Sequence, residues 1–231
     1  MADEDVELEF DLFEDNGVES TDVCWEPVDL ATESNVGVPR LELPRTLAVW
    51  GSSIYLSRYL TRHLLTVFGK SVVQLGADVG LPGLVSGALG ASSALITDYD
   101  RRAVRSATLA AARNGLADTV SAARLDWRDC ERPAAERPAG MPSPAEVVIA
   151  ADCNFESKSV RPLLAAIHTV AAPGALLLLA SEEQRVGLAE TVAALVAEAS
   201  EFELSVTLTL LPNGLEYAEI SPRSSRGEVH L

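Results

Sequence analysis

The stretch VVQLGADVGLPGL, residues 72–84, joins a short apolar run to a glycine-rich turn. The run from Val72 to Leu75 is typical of a buried strand, and Pro82 suits the first turn of a helix, where its missing N–H costs nothing. A turn of this kind often holds a nucleotide-like ligand. Asp78 stands where the tightest such turns carry glycine. The stretch is therefore either a cofactor loop with an acidic side chain or a loop that has lost its ligand.

Strands and helices alternate on both sides of this turn. Apolar runs predict strands at KSVVQL (70–75), SALITD (93–98), AEVVIAAD (145–152) and ALLLLAS (175–181). Helical patterns occupy residues 52–65, 100–116, 159–171 and 187–200, while FELSVTLTL (202–210) and LEYAEIS (215–221) predict closing antiparallel strands. Continuously apolar strands that alternate with helices predict an α/β fold with a doubly wound, mostly parallel sheet.

The first helical pattern, SSIYLSRYLTRHLL, predicts one apolar face. Its residues are Tyr55, Leu56, Tyr59, Leu60, His63 and Leu64.

Ligands of such sheets bind beyond the carboxyl ends of the strands. Asp98 ends one predicted strand, eighteen residues after Gly80. This is close to the sequence spacing at which an acidic side chain accepts hydrogen bonds from ribose hydroxyls. Trp127 offers a flat face to an adenine, and Asp152 and Phe155 follow the third strand. Each feature alone has a structural explanation, as a tight turn, a helix cap or a core residue. In this order and spacing they predict one site.

The net charge of −16 is concentrated at the start of the chain, where residues 1–39 hold thirteen acidic and no basic side chains. This segment is either solubilising or an electrostatic guide for a basic partner. Its alternating Val6, Leu8, Phe10 and Leu12 predict a strand. No basic patch for nucleic acid, membrane-length apolar run or signal sequence stands out, so we expect a cytoplasmic protein with no membrane or nucleic-acid partner.

The three cysteines and three histidines are widely spaced, which favours reduced thiols and no metal site.

Several stretches together resemble the seven-strand, S-adenosylmethionine-dependent methyltransferases, and among them the small protein-lysine methyltransferases. They are VWGSSIYLSRYL (49–60), VVQLGADVGLPGL (72–84), LITD (95–98), LDW (125–127) and IAADCNF (149–155). The resemblance implies S-adenosylmethionine as cofactor, a protein substrate, and a location in the cytoplasm that extends to the nucleus. It divides the chain into an acidic N-terminal extension with a strand (1–39) and a methyltransferase domain (40–231). ADCNFESKSVRPLL and EEQR resemble the members that act on an ATPase, valosin-containing protein.

Carried over by position, the resemblance implies cofactor contacts at Trp50, Gly76, Ala77, Asp78, Gly80, Asp98, Trp127 and Ala151. From their position after the third strand, supported by the D-x-x-[YF] signature of the family, we predict a methyl-transfer site at Asp152 and Phe155. There Asp152 would orient the substrate amine, and Phe155 would form an apolar wall beside the lysine stem.

Two positions depart from the family pattern. Gln74 replaces an acidic residue at the end of the first strand, and Asp78 replaces the middle glycine of the turn. The Asp78 carboxylate either meets the cofactor's ammonium group or repels its carboxylate, and repulsion predicts that Asp78→Gly tightens binding. These departures keep open the alternative of a methyltransferase-fold binding module that no longer catalyses. A third interpretation is a methyltransferase that acts on a small molecule.

Overall fold

The computed structural model describes residues 24–28, 30, 40–45, 49–153, 157–182, 193–194, 197–202, 204–210 and 215–222. The α-helices whose bounds are described are α1 (Gly51–Arg62), α2 (Leu81–Ala88), α3 (Arg101–Arg113), α4 (Trp127–Cys130) and α5 (Ser157–Val170). The strands are β1 (Trp25–Val28), β2 (Leu41–Pro44), β3 (Ser71–Leu75), β4 (Ser93–Asp98), β5 (Val120–Arg124), β6 (Ala145–Ala151), β7 (Ala171–Glu182), β8 (Leu204–Leu210) and β9 (Leu215–Pro222).

Seven of the strands form one sheet in the order β5-β4-β3-β6-β7-β9-β8. The strands from β5 to β7 pair in parallel, and β9 pairs antiparallel with both β7 and β8. The sequence prediction of a doubly wound, mostly parallel seven-strand sheet is therefore confirmed, including the antiparallel pair at the end of the chain. Strand order reverses at β3, whose neighbours are β4 and β6, and this is where an open α/β sheet binds its ligand.

Both faces of the sheet are covered by helices, and β3 shows how the strand sequence serves both. Val72 packs with Leu81, Leu84 and other residues on one face, whereas Val73 and Leu75 pack with α5 residues on the other. Such two-sided burial requires a strand without an exposed polar face. Gln74 lies in this buried strand, on the same face as Val72.

Helix α3 begins and ends at polar caps that its sequence supplies. Asp100 precedes it and accepts the backbone N–H of Arg102 at 2.8 Å. Asn114 follows it, and Gly115 takes the left-handed backbone (φ 68°) that glycine adopts without strain. The Asn114 side chain also exchanges two hydrogen bonds with the backbone of Glu42, which anchors the antiparallel β1–β2 pair to α3.

The first helical prediction is wrong at its end. Helix α1 stops at Arg62, and a short 3-10 turn follows over Leu64–Thr66. Leu56 and Leu60 are buried as predicted, but His63 and Leu64 are exposed because the helix no longer directs them inward.

Strand β5, with the sequence VSAAR, was not predicted, because it is an edge strand with one buried residue, Val120, and no apolar run. The predicted strand at Val6–Leu12 and most of the predicted helix at 187–200 lie outside the described residues. Within residues 1–39, the strand that the structure describes is β1 (Trp25–Val28). Among the described residues, no helix combines the length and apolar character needed to span a membrane.

Candidate functional site

The glycine-rich turn after β3 folds back on itself with left-handed residues. Gly76, Asp78 and Gly80 all have positive φ, at 58°, 47° and 77°. A Cβ atom on Gly76 would lie 2.7 Å from the Cys153 sulfur and 3.0 Å from the Trp127 ring. Gly76 is therefore required both by its backbone conformation and by the close approach of two neighbouring segments.

Gln74 does not face the cavity. Its side-chain Oε1 accepts the backbone N–H of Gly83 at 2.7 Å, inside the first turn of α2, and the residue is 1% exposed. The first N–H groups of a helix have no partner within the helix, so Gln74 supplies one. This departure from the family pattern thus has a structural role beneath α2.

Replacing Gln74 by leucine is expected to lower the free energy of unfolding by about 1–3 kcal/mol, because the buried Gly83 N–H loses its acceptor. Cofactor affinity is expected to change less than about twofold. Chemical denaturation and calorimetry with S-adenosylhomocysteine measure the two effects, and Gln74→Glu, which keeps an acceptor, is the matched control. A large loss of affinity with unchanged stability would place Gln74 in the binding site instead.

Asp98 ends β4 at the wall of the cavity and is 7% exposed. Its Oδ1 accepts the N–H of Asp100 at 2.8 Å, and its Oδ2 accepts the N–H of Asp78 at 3.2 Å. Burial raises the pKa of this carboxyl, and the two backbone hydrogen bonds partly oppose the rise. These bonds fix the orientation of a carboxylate that can accept further donors, such as a pair of ribose hydroxyls.

Asp78 uses its side chain to hold Trp50. The carboxylate accepts a hydrogen bond from the Trp50 side chain, whose single donor is the indole N–H. Burial, followed by the charge of Asp98, raises the pKa of Asp78, and the Trp50 hydrogen bond lowers it. Trp50 precedes α1, lines the cavity and is 43% exposed. The acidic residue in the turn therefore fixes an aromatic ring at the cavity wall.

This contact reverses the expected effect of Asp78→Gly. Removing backbone strain gains about 1 kcal/mol, but losing a hydrogen bond to a charged group costs about 1.5–3 kcal/mol. We expect Asp78→Gly to weaken S-adenosylhomocysteine binding by about three- to tenfold. Trp50→Phe, which removes the N–H, should show a similar loss, whereas Asp78→Asn keeps an acceptor and should stay within about twofold. Calorimetry that showed tighter binding by Asp78→Gly would support repulsion of the cofactor instead.

The far end of the cavity is formed by the segment after β5. Trp127 begins the short helix α4 and is half-buried, and Leu125 and Arg128 line the cavity beside it. Asp126 caps α4 by accepting the Arg128 N–H at 3.0 Å and pairs with the Arg128 guanidinium at 2.6 Å. The hydrogen bonds and the ion pair with Arg128 keep the pKa of Asp126 below its usual range.

Asp152 lies immediately after β6 in a left-handed conformation (φ 53°) and is 7% exposed. Its backbone N–H donates to Ala180 on β7 at 2.8 Å, and its Oδ2 accepts the hydroxyl of Ser52 at 2.5 Å. The next residue, Cys153, donates to the Leu75 carbonyl at 3.2 Å, and burial raises the pKa of its thiol. Cys153 is thus a protonated packing residue and no nucleophile.

These segments enclose one cavity of about 720 Å³, within the range of ~300–1,000 Å³ typical of small-molecule sites. Among the residues expected from the sequence, those on its wall are Trp50, Gly76, Asp78, Asp98, Trp127, Ala151 and Asp152. Ala77 and Gly80 are buried, and the cavity lining does not include them. Phe155 lies outside the described residues.

Other lining residues were missed by the sequence argument. They are Tyr99, Asp100, Leu125, Asp126, Arg128, Cys153, Lys158, Ser159 and Pro162. Asp100 carried a signal, since it lies two residues after the predicted strand end at Asp98 and begins a predicted helix, but that signal is shared with ordinary helix caps. Asp126 carried none, because it follows β5, which was not predicted.

Among the described residues of the wall are five carboxylates, from Asp78, Asp98, Asp100, Asp126 and Asp152, and two basic groups, from Arg128 and Lys158. Such a lining suits a ligand with cationic groups and hydroxyls. Within the described parts of the chain, no three His, Cys, Asp or Glu side chains are grouped so that they could hold a metal ion.

The chain is similar to curated protein methyltransferases. It is 47% identical over 51 residues to the protein N-terminal and lysine N-methyltransferase EFM7 of Eremothecium gossypii, a match that covers 22% of this chain and 19% of that protein. It is 24% identical over 138 residues to the histone-arginine methyltransferase METTL23 of Rattus norvegicus, covering 59% of each. The chain thus spans about a fifth of the length of the EFM7 relative and under two thirds of METTL23.

Solved structures show the same fold. The 16S rRNA N2 G1207 methyltransferase RsmC of T. thermophilus, in complex with AdoMet and guanosine, matches 86% of this chain and 51% of its own, at a TM-score of 0.61 and 14% identity. The ribosomal protein L11 methylase of Lactobacillus delbrueckii subsp. bulgaricus matches 75% of this chain and 79% of its own, at a TM-score of 0.57 and 14% identity. Residues 45–196, the part that carries α1, the glycine turn and the cavity, match the family described as lysine methyltransferase, and the chain belongs to that family.

Proposed function

We propose that this chain transfers a methyl group from S-adenosylmethionine to a lysine side chain of a protein. The observation that carries the proposal is the placement of Asp152, a buried carboxylate at the wall of a cavity that also contains the glycine turn and Asp98. Membership of the lysine methyltransferase family supports the choice of acceptor.

The cavity wall fits the cofactor. Asp98 would accept the ribose hydroxyls, and Trp127 would lie against the adenine ring, with Leu125 and Asp126 beside it. Gly76 lets the turn pack closely against Cys153 and Trp127, and the turn would present its backbone to the cofactor's methionine part. Trp50, held by Asp78, would cover it from α1. When bound, the cofactor supplies an already activated methyl group.

The remaining task of the protein is to align an amine with that methyl group. A free lysine has a pKa of about 10.4, so most of it carries a proton at neutral pH. Methyl transfer needs the neutral amine, so the ammonium must lose its proton to solvent before it reacts. Desolvation in the cavity favours this loss, whereas the carboxylates of the wall oppose it. Asp152 accepts an N–H of the amine and orients its lone pair, a contribution to proximity and alignment.

The alternative of a binding module loses its two supporting observations. Gln74 stabilises α2, and Asp78 accepts the hydrogen bond of Trp50. Both departures from the family pattern therefore have structural functions that leave the cavity open to a ligand.

The experiment that separates the acceptor classes is labelling of a cell extract with the purified chain and tritiated S-adenosylmethionine. We expect label in acid-precipitable material that protease releases and ribonuclease does not. Label released by ribonuclease would indicate an RNA acceptor, and label confined to the soluble fraction would indicate a small molecule. Either result would contradict the proposal.

The identity of the substrate rests on a finer resemblance. We propose an ATPase of the valosin-containing-protein type as the first protein to test, because ADCNFESKSVRPLL resembles the members that act on it. The cytoplasm, extending to the nucleus, is the proposed location, which the free Cys24, Cys130 and Cys153 support. Incubation of the purified ATPase with labelled donor tests the substrate, with a lysine-to-arginine variant of the labelled position as control.

A further inference from the structure

Helix α1 carries two fully buried serines, of which Ser52 contacts the cavity wall at Asp152. Ser52 and Ser57 are both fully buried, at 0% exposure. They differ in the hydrogen bonding of their hydroxyl groups. The Ser52 hydroxyl donates to Asp152 Oδ2 at 2.5 Å, across 100 residues of sequence, whereas the buried Ser57 hydroxyl makes no hydrogen bond within the described part of the chain.

Asp152 depends on such a contact more than an aspartate within a strand would. It lies at φ 53°, outside the extended conformation of β6. A non-glycine residue in this region is strained, and surrounding contacts must hold it there. The backbone is held by the N–H bond to Ala180, and the carboxylate is held by Ser52.

We propose that Ser52 is a positioning residue for methyl transfer, which acts by fixing the carboxylate of Asp152 towards the acceptor amine. The inference rests on the proposed function, since it assigns Ser52 to the carboxylate that orients the amine. A hydrogen bond to an ionised group is shorter and stronger than a neutral one. Without it the carboxylate rotates away from its productive geometry, and a misplacement of about 1 Å can cost ~100-fold in rate.

The test compares Ser52→Ala with Ser57→Ala, the same substitution at an equally buried position of the same helix. The acceptor is the protein most strongly labelled by the wild-type chain in extract. We expect Ser52→Ala to lower kcat by about 10- to 100-fold. The KM for S-adenosylmethionine and the affinity for S-adenosylhomocysteine should stay within about twofold of the wild-type values. Ser57→Ala is expected to retain wild-type kcat. Equal values of kcat for the two variants would overturn the proposal.

A double-mutant cycle gives a readout that does not depend on catalysis. If the contact exists in solution, Ser52→Ala has little further effect on the free energy of unfolding once Asp152→Ala has removed the acceptor. Additive losses in urea denaturation would overturn the proposal whatever the activity. If the stability losses are non-additive but the wild-type chain labels no protein, the contact exists and the proposed function has failed. The catalytic role of Ser52 would then be rejected together with that function.

Discussion

Replacing Asp98 by alanine is expected to weaken the binding of S-adenosylhomocysteine by about 30- to 150-fold, equivalent to ~2–3 kcal/mol. The carboxylate is 7% exposed and already oriented by the N–H groups of Asp78 and Asp100. Its removal leaves the ribose hydroxyls and both N–H groups without their acceptor in a partly dry site. Isothermal calorimetry measures the affinity directly.

The control is Asp118→Ala, which removes the same charge from an exposed residue that does not line the cavity. We expect it to leave the affinity unchanged, and circular dichroism must show both variants folded. Unchanged affinity in a folded Asp98→Ala protein would remove Asp98 from the binding site.

Binding should also depend on pH through the same carboxyl. Burial raises the pKa of Asp98 above the ordinary 3.8, so a larger protonated fraction is present at mildly acidic pH. A protonated carboxyl accepts the hydroxyls less well. Affinity for S-adenosylhomocysteine should therefore fall as the pH is lowered. The fall should begin at a higher pH than the titration of an exposed aspartate would give. Asp98→Ala should show a flatter profile, and an equally steep one would assign the titration to another group.

Asp152→Asn is expected to lower turnover by well over tenfold, about 100-fold, with cofactor affinity largely intact. Asparagine still accepts the Ser52 hydroxyl, so the side-chain position is kept while the negative charge is lost. An interaction that acts on the amine in the transition state affects kcat more than ground-state binding.

Single-turnover labelling and calorimetry on the same preparations separate the two quantities. Asp129→Asn, in α4 and off the cavity lining, is the matched control and should keep wild-type turnover. If turnover survives in Asp152→Asn and only cofactor affinity falls, Asp152 belongs to the cofactor-binding residues.

The sequence predicted the parallel sheet and the strand ends that carry the site, because both follow from local patterns. Apolar runs interrupted by glycine and aspartate identify β3, β4 and β6, and parallel strands bring their carboxyl ends to one edge. For this reason Asp98 and Asp152 could be assigned to one site from a sequence in which 54 positions separate them.

Contacts between distant segments were beyond the sequence argument. Nothing in the pattern of α1 distinguishes Ser52 from Ser57, although only Ser52 reaches a carboxylate 100 residues away. The hydrogen bond between Asp78 and Trp50 was also not foreseen. The charge of Asp78 suggested an interaction with the cofactor, which stays a prediction because Asp78 lines the cavity, and the structure adds the contact with Trp50. Rotamers and side-chain partners depend on tertiary packing, which local periodicity does not encode.

The central claim, methyl transfer to lysine, is tested most directly by the chemical identity of the labelled residue. Protein labelled by the wild-type chain with tritiated S-adenosylmethionine is hydrolysed in acid, and the amino acids are separated by chromatography. We expect the tritium to elute with Nε-methylated lysine and to be strongly reduced when Asp152→Asn replaces the wild-type chain. Tritium in methylated arginine, or in an N-terminal α-methylated residue, would contradict the account.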